Sequence, residues 1–557
     1  MSISRRDFMK AVSSTAVTAG LIGCGSDSSE LVVGSFDHGV ASGDPTQTQV
    51  IIWTRVTTDA DYADVTWQVA SDEGFSDVVQ SGVFTTDTSR DFTVKVDVKN
   101  LNPNTHYYYR FMVGEVVSGV GETKTLPDES VEQASMAVVS CANYPAGYFN
   151  VYREILNQHE EASFDVVLHL GDYIYEYGAG GYASEDAETL DRVASKGTEC
   201  VTLDDYRKRY AQYRQDADLQ ALHAKLPMIA VWDDHELAND AWKEGAENHQ
   251  DDEGSFNDRR AAAAAAWTEW LPVRENSYSS MLIYRQFSFG NLVNLMMLDT
   301  RLVGRDEPLD YFSLSEPSIE AIAGLVAESR SVDRELLGSD QLAWLMNEFT
   351  TSNAKWNVLG QQVLMSKMEL PSSVMTAMFQ LFTATEDQQA AALLAVNTAI
   401  TNYLSDPSSD PVSLPYNLDA WDGYYVEREK VYQLANASAG NFVCLAGDTH
   451  NAWASALHDI SGTPVGVEFA TSSVSSPGLE AYLAMDSTVT AQMEFTLPHL
   501  VSELKWTDIK QRGFMRVTFT PENAQSTWYF VSTIKSKDYQ VTTKSASTTD
   551  GITLNIV

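Results

Sequence analysis

Three short, largely apolar runs in this chain each end in a group of carboxylates, and that pattern limits the fold more than any other feature. Asp165-Val166-Val167-Leu168-His169-Leu170 runs into Gly171-Asp172. Pro227-Met228-Ile229-Ala230-Val231-Trp232 runs into Asp233-Asp234-His235-Glu236, and Phe442-Val443-Cys444-Leu445-Ala446 into Gly447-Asp448-Thr449-His450. Runs this short, bounded by glycine or acidic residues, read as strands covered on both faces. A further run, Met136-Ala137-Val138-Val139-Ser140, opens onto Cys141. Segments with helical character, including 151–158, 203–222 and 259–270, lie between the runs. Buried strands that alternate with helices and deliver polar residues at their C-terminal ends describe a layered α/β enzyme. The alanines at 261–266 read as tight helix packing.

Upstream, residues from about 32 to 127 follow a different pattern. Val50-Ile51-Ile52-Trp53-Thr54-Arg55-Val56 is β-branched and apolar, and Asp64-Val65-Thr66-Trp67-Gln68-Val69 alternates polar with apolar, the period of a half-buried strand. Leu101-Asn102-Pro103-Asn104-Thr105 leads as a turn into an aromatic strand, similar to the corner before a late strand in fibronectin-III-like sandwiches. The expected layout is an N-terminal fibronectin-III/Ig-like β-sandwich at 32–130 and a catalytic α/β domain at 131–557, its β-sheets flanked by helices. Residues 370–410 are Ala-rich and read as a helical insertion over the site. Strands from about Met515 onward are expected to pair into the core's second sheet. A chain of 557 residues exceeds what one hydrophobic core supports, which agrees with two or more domains.

A bare carboxylate such as Asp172, held after a buried strand, is costly unless a cation offsets it. Tyr175 lies three residues on, and its phenolate can bind a hard trivalent ion. Asp233-Asp234-His235-Glu236 crowds three carboxylates and an imidazole together, a repulsion that nearby cations relieve. Asp448 and His450 add an oxygen and a nitrogen donor. Such a mixed set suits hard or borderline cations at two or more adjacent positions. Each segment alone has a blander account: a turn at Gly171-Asp172, a surface loop at Asp448-Thr449-His450, a helix cap at Asp233–Glu236. Three carboxylate-bearing strand ends together, two with histidine, point to a metal site.

Cys141-Ala142-Asn143-Tyr144, Gly171-Asp172-Tyr173-Ile174-Tyr175-Glu176, Trp232-Asp233-Asp234-His235-Glu236 with Asn239, and Gly447-Asp448-Thr449-His450 resemble the PhoD-type alkaline phosphatases, a metallophosphoesterase family. Phe36-Asp37-His38-Gly39-Val40-Ala41-Ser42-Gly43-Asp44-Pro45 and Ile52-Trp53-Thr54-Arg55 resemble that family's N-terminal domain. The resemblance covers nearly the whole chain beyond its opening residues. It implies hydrolysis of small phosphate mono- or diesters with Fe³⁺ and one or two Ca²⁺ ions. Carried over, Cys141, Asp172, Tyr175 and His450 ligate the iron. Asp172, Asn239 and Asp448 serve calcium, and one carboxylate bridges. The implied reaction is in-line attack by a metal-bound hydroxide, with His235 binding the phosphate or protonating the leaving group. Asp234 orients His235, contacts the second shell of a metal or caps a helix. Arg301 clamps phosphate or pairs with an acid. The chain is also similar to purple acid phosphatases, but those carry Gly-Asn-His-Glu and Gly-His-x-His where it has Asp233-Asp234-His235-Glu236 and Gly447-Asp448-Thr449-His450. A surface lipoprotein that holds metal and phosphate without turnover is the alternative from another class.

The chain opens with a twin arginine, Arg5-Arg6, ahead of a mildly apolar stretch at 11–23 that cannot span ~30 Å of hydrocarbon. Residues 1–24 are read as a twin-arginine signal, implying passage through that export machinery. Leu21-Ile22-Gly23-Cys24 looks like a lipobox, with Cys24 acylated and 25–31 as a tether. The expectation is a periplasmic or cell-surface protein held to the membrane by lipid alone, since no later stretch is long and apolar enough to cross. A net charge of −40, from 37 basic and 77 acidic residues, argues against nucleic acid as a partner. It also leaves phosphate to be drawn by a local metal cluster. With Cys24 assigned, Cys141, Cys200 and Cys444 remain, an odd number for an oxidising compartment. A thiolate ligand at Cys141 accounts for one of them, and whether Cys200 and Cys444 pair is open.

Overall fold

The computed structural model describes residues 34–557 apart from 276–280, 312, 315–318 and 386. The twin-arginine stretch, Cys24 and the 25–31 tether therefore lie outside the described residues.

Each apolar run that ends in a carboxylate group forms a strand at the centre of one of two large sheets. In the first sheet Ala134–Val139, Val166–His169 and Met228–Ala230 run parallel, side by side. In the second, Val293–Met297, Trp356–Gly360, Asn441–Ala446 and Pro464–Ala470 do the same. Strand alternation explains why these runs are apolar throughout. Val443 and Leu445 join the hydrophobic cluster that also holds Val138 and Leu168 of the first sheet. Phe442, Cys444 and Ala446 join a second cluster with Leu345 and Phe349 from the helix Gly338–Thr351. Helices Asn150–Glu161, Leu203–Tyr213, Ala217–Lys225 and Phe256–Trp270 contribute to the first cluster. In the last of these Ala263, Ala264 and Ala266 are buried, as the alanine run leads one to expect.

The C-terminal strands correct one expectation. Arg512–Phe519, Ala524–Val531 and Val541–Thr548 extend the first sheet, where Arg512–Phe519 pairs antiparallel with Ala134–Val139. Two indoles tie these strands to the second sheet: Trp528 Nε1 donates to the Ala470 carbonyl at 2.9 Å, and Trp356 Nε1 to the Thr520 carbonyl at 2.7 Å.

The N-terminal sandwich shares the first sheet as well. Val40–Gly43, Val50–Arg55 and Thr93–Val98 continue it beyond Met228–Ala230. Tyr62–Ala70, Val78–Asp87, His106–Val113 and Gly121–Lys124 form the opposing layer. Val50 and Ile52 face that layer's Val65, Val69, Tyr109 and Phe111, whereas Trp53 packs into the catalytic core. Gly43 meets Met228 at the join, where an added Cβ would lie 2.5 Å from the Met228 carbonyl oxygen. Asp44, next in sequence, is 1% exposed and fastens the two parts by accepting from Arg285 Nη2 at 2.6 Å, Arg285 Nε at 2.9 Å and the Arg274 N–H at 2.7 Å.

Residues 370–410 carry the helices Ser372–Phe382 and Gln389–Ser405, closed at their base by Glu369–Pro371 pairing with Ser413–Pro415. Among the described residues no helix is long and apolar enough to cross a membrane. Cys141, Cys200 and Cys444 are buried free thiols, so Cys200 and Cys444 do not pair.

Replacing Asp44 with Asn leaves Arg285 without its charge partner, and loss of one member of a buried pair costs about 3 kcal/mol. Chemical denaturation of Asp44→Asn should show that loss; an unchanged midpoint would mean the two parts are held together elsewhere.

Candidate metal centre and active site

Four of the expected ligands lie where strands give way to loops, in a backbone conformation that side chains rarely adopt. Cys141, Asp172, Asp448 and His450 have φ values of 61°, 54°, 62° and 61°. Such residues gather where a site is held under strain. Two glycines allow the strand ends to close in: a Cβ on Gly171 would lie 2.3 Å from the Asp233 Cβ, and one on Gly447 2.8 Å from the Ser140 Cβ. Glu236 fastens them, accepting from the backbone N–H of Asp172 at 3.1 Å, of Asp233 at 2.7 Å, and of Tyr173.

The side chains so placed converge. Cys141 Sγ, an Asp172 oxygen and a His450 ring nitrogen lie within 4.8 Å of one another. The Tyr175 hydroxyl joins them, 2.9 Å from Asp172 Oδ2 and 3.2 Å from His450 Nε2. His450 Nδ1 donates to the Pro477 carbonyl at 2.7 Å, which leaves the Nε2 lone pair toward Tyr175 and Asp172. Asp172, Asp234 and His235 form a second group within the same 4.8 Å limit, and Asp233, Asp234 and Asp448 a third. Asn239 lines the cavity of about 390 Å³ over these groups, beside Asp234, His235 and Asp448.

This donor set fits metal cations on its own chemistry. Asp172 Oδ1 and Asp233 Oδ2 are buried without a hydrogen-bond partner, a costly state for a carboxylate unless a cation completes it. Burial, reinforced by neighbouring carboxylates, pushes the Asp172 and Asp448 carboxyls well above their usual range. Burial also raises the Cys141 thiol and the Tyr175 phenol, and Asp172 adds to both. His450 is pushed down to about 3 by burial, so it stands as the neutral imidazole that can ligate. Alone, these acids keep their protons; a cation exchanges for them.

Three placements refine the sequence expectations. Arg301 is fully buried and spent on acids, donating to Asp233 Oδ1, to Asp419 Oδ1 at 2.9 Å and to Asp448 Oδ1 at 3.2 Å. It is not among the cavity's lining residues, and its partners are those of the ion-pair alternative. Asp234 does not hold His235; its Oδ2 accepts the Asp240 N–H at 2.7 Å. Glu176, the last residue of the Gly171–Glu176 motif, holds His235 instead: its Oε2 is 2.7 Å from His235 Nδ1. Glu176 also accepts from the Asn239 N–H and Asn248 Nδ2, each at 2.9 Å. The 370–410 segment contributes no lining residue among those described. Tyr177, Tyr182, Tyr416, Trp453 and Tyr482 wall the cavity.

A two-sheet α/β core with these donors at its strand ends marks a phosphoric ester hydrolase, and comparison with known proteins carries the assignment further. Residues 136–528 match the family model described as PhoD-like phosphatase, and residues 23–127 match that family's N-terminal domain. The chain belongs to the PhoD-like phosphatase family. It is 36% identical over 504 residues to alkaline phosphatase D of Bacillus subtilis (strain 168), spanning 87% of this chain and 76% of that protein. A solved structure described as that of PhoD aligns with a TM-score of 0.75 at 31% identity, over 96% of this chain and 93% of that one.

The carboxyl cluster makes stability depend on pH in a defined direction. Asp240, ordinarily near 3.8, is pushed up to about 8 by burial and by the charges of Asp419 and Asp234. The fold keeps a proton there that the unfolded chain has released, so this contribution is lost as pH rises toward 8. Buried His169 and His450, pushed down to about 3, act oppositely, but only as pH falls below their unfolded value of 6.5. In chelator, the thermal midpoint should therefore fall between pH 6.5 and 8. A midpoint that rises across this window in chelator would contradict the reading.

Proposed function

We propose that this phosphoesterase is metal-dependent and cleaves phosphate mono- or diesters at a site loaded with Fe³⁺ and Ca²⁺. The observation that carries the proposal is the convergence of Cys141, Asp172, Tyr175 and His450 donors, with Asp172 Oδ1 buried and unpartnered. A thiol, a phenol, a carboxylate and an imidazole together suit a ferric ion, and Asp172, Asn239 and Asp448 offer oxygens to Ca²⁺. Bound there, cations neutralise the phosphoryl oxygens and activate water for in-line attack. The chain's own residues supply the rest. His235, stacked on the Tyr175 ring at 4.2 Å between centroids, gives Nδ1 to Glu176 and has Nε2 left for the substrate. In the metal-free site burial works against its charged form, but the neighbouring carboxylates, Asp234 and Glu176 foremost, outweigh this and raise its pKa. Held by Glu176 through Nδ1, His235 is placed to give a proton to the leaving oxygen. The aromatic wall excludes water from one side and receives the organic part of the ester.

Protein loaded with Fe³⁺ and Ca²⁺ should release nitrophenol from a nitrophenyl phosphate monoester or from a bis-nitrophenyl diester; no release from either with both cations bound would end the proposal. In Glu176→Gln, kcat should fall about 10–100-fold, and more for an alkyl ester than for a nitrophenyl ester, whose leaving group needs no proton. Equal losses on both esters would remove His235 as the acid.

Export by the twin-arginine route and acylation at Cys24 belong to the same proposal, supported by Arg5-Arg6 and the Leu21–Cys24 run. Cys24→Ala should move the exported protein from the membrane fraction to the soluble one. An unchanged distribution would rule out the lipid anchor.

A further inference from the structure

The loop after strand Pro464–Ala470 reads Thr471-Ser472-Ser473-Val474-Ser475-Ser476-Pro477, and its first six residues are each 1% exposed or less. Hydroxyls so deeply buried need partners, and most of these serve to fasten the loop beside Cys141. The Val474 N–H donates to the Ser140 carbonyl at 2.9 Å, and Ser475 Oγ to the Asn143 carbonyl at 2.7 Å. Thr471 Oγ1 donates to the Val138 carbonyl at 3.2 Å. Ser476 reaches farther. Its Oγ lies 2.6 Å from the Tyr175 hydroxyl oxygen, against 3.2 Å from the Cys141 carbonyl. The carbonyl of the next residue, Pro477, is the one that orients His450.

We infer that Ser476 is a positioning residue, donating a hydrogen bond to the Tyr175 oxygen and so fixing that oxygen as a metal donor. The inference rests on the proposed role of Tyr175 as a ligand. The other neighbours of this oxygen cannot donate to it. Asp172, ionised once a cation takes the place of its proton, only accepts, and His450, with its Nδ1–H donated to the Pro477 carbonyl, presents a bare Nε2. Ser476 is thus the one donor among the described hydrogen-bond partners of the Tyr175 oxygen. Stacking on His235 fixes the ring plane, and Ser476 fixes the oxygen at its tip. A hydrogen bond onto a ligating phenol oxygen also draws electron density from it, which raises the energy of charge transfer from tyrosine to a ferric ion.

The test is the visible spectrum of the full chain loaded with Fe³⁺, with iron content measured alongside. Wild-type protein should show a band that Tyr175→Phe abolishes. Ser476→Ala should retain iron, shift the band to longer wavelength, and lower kcat about tenfold with KM within about twofold. Ser476→Thr, which keeps the hydroxyl, should restore the wild-type wavelength. Should Ser476→Ala fail to fold or to hold iron, Ser476→Cys, a weaker donor, should show a smaller shift in the same direction. An unshifted band in Ser476→Ala, or in Ser476→Cys where that variant must decide, overturns the inference about Ser476. A wild-type band that is absent, or that survives Tyr175→Phe, overturns the Tyr175 reading itself and this inference with it.

Discussion

Carboxylates brought together in dry protein repel one another, and in this molecule that repulsion organises everything around it. Asp172, Asp233 and Asp234 meet at strand ends with little access to water, and Asp448, half-buried, adjoins them. Among the described residues Arg301 is divided between Asp233, Asp419 and Asp448, Arg305 shares Asp419, and His235 stands beside Asp172 and Asp234. These few cations do not balance all the acids, and buried carboxyls left over hold protons or bind metal. Arg301 thus keeps the carboxylates apart and aimed, and it lies outside the cavity lining.

The scaffold follows from the need to hold such a cluster in place. Parallel strands from two sheets end at the same level, and each is buried on both faces, so the loops they release start from rigid positions. Glu236 takes three backbone N–H groups from two of those loops. Positive φ at Cys141, Asp172, Asp448 and His450 is tolerated because the strands behind them leave no freedom to relax. The sandwich adds stiffness of another kind: by continuing the first sheet and pairing Asp44 with Arg285, it braces the edge beside Met228–Ala230. With a net charge of −40, the surface offers phosphate no attraction at long range, so binding depends on what the cluster holds.

Much of this was legible in the chain. Apolar runs ending in carboxylates gave away both the strands and the donor positions, because a strand buried on both faces cannot alternate and a buried acid advertises a partner. What stayed hidden was contact between segments far apart in sequence. Glu176 and His235 are 59 positions apart, and Ser476 and Tyr175 are 301 apart. Local pattern carries no trace of either pairing, although the hydroxyl-rich run at 471–476 was a signal that could have been read: five hydroxyl residues in six are not loop filler when the flanking strand is buried. The C-terminal strands were recognisable as strands, but which sheet received them was decided by long-range pairing with Ala134–Val139. Arg301 shows the converse. An arginine after a buried strand looks like a phosphate ligand until the surrounding acids are counted in space.

Anomalous scattering at the iron absorption edge, from crystals of protein that turns over a phosphate ester, tests the central claim most directly. The account predicts a peak bounded by Cys141 Sγ, Asp172, Tyr175 Oη and His450 Nε2. An active crystal with no anomalous density among these four atoms would contradict it.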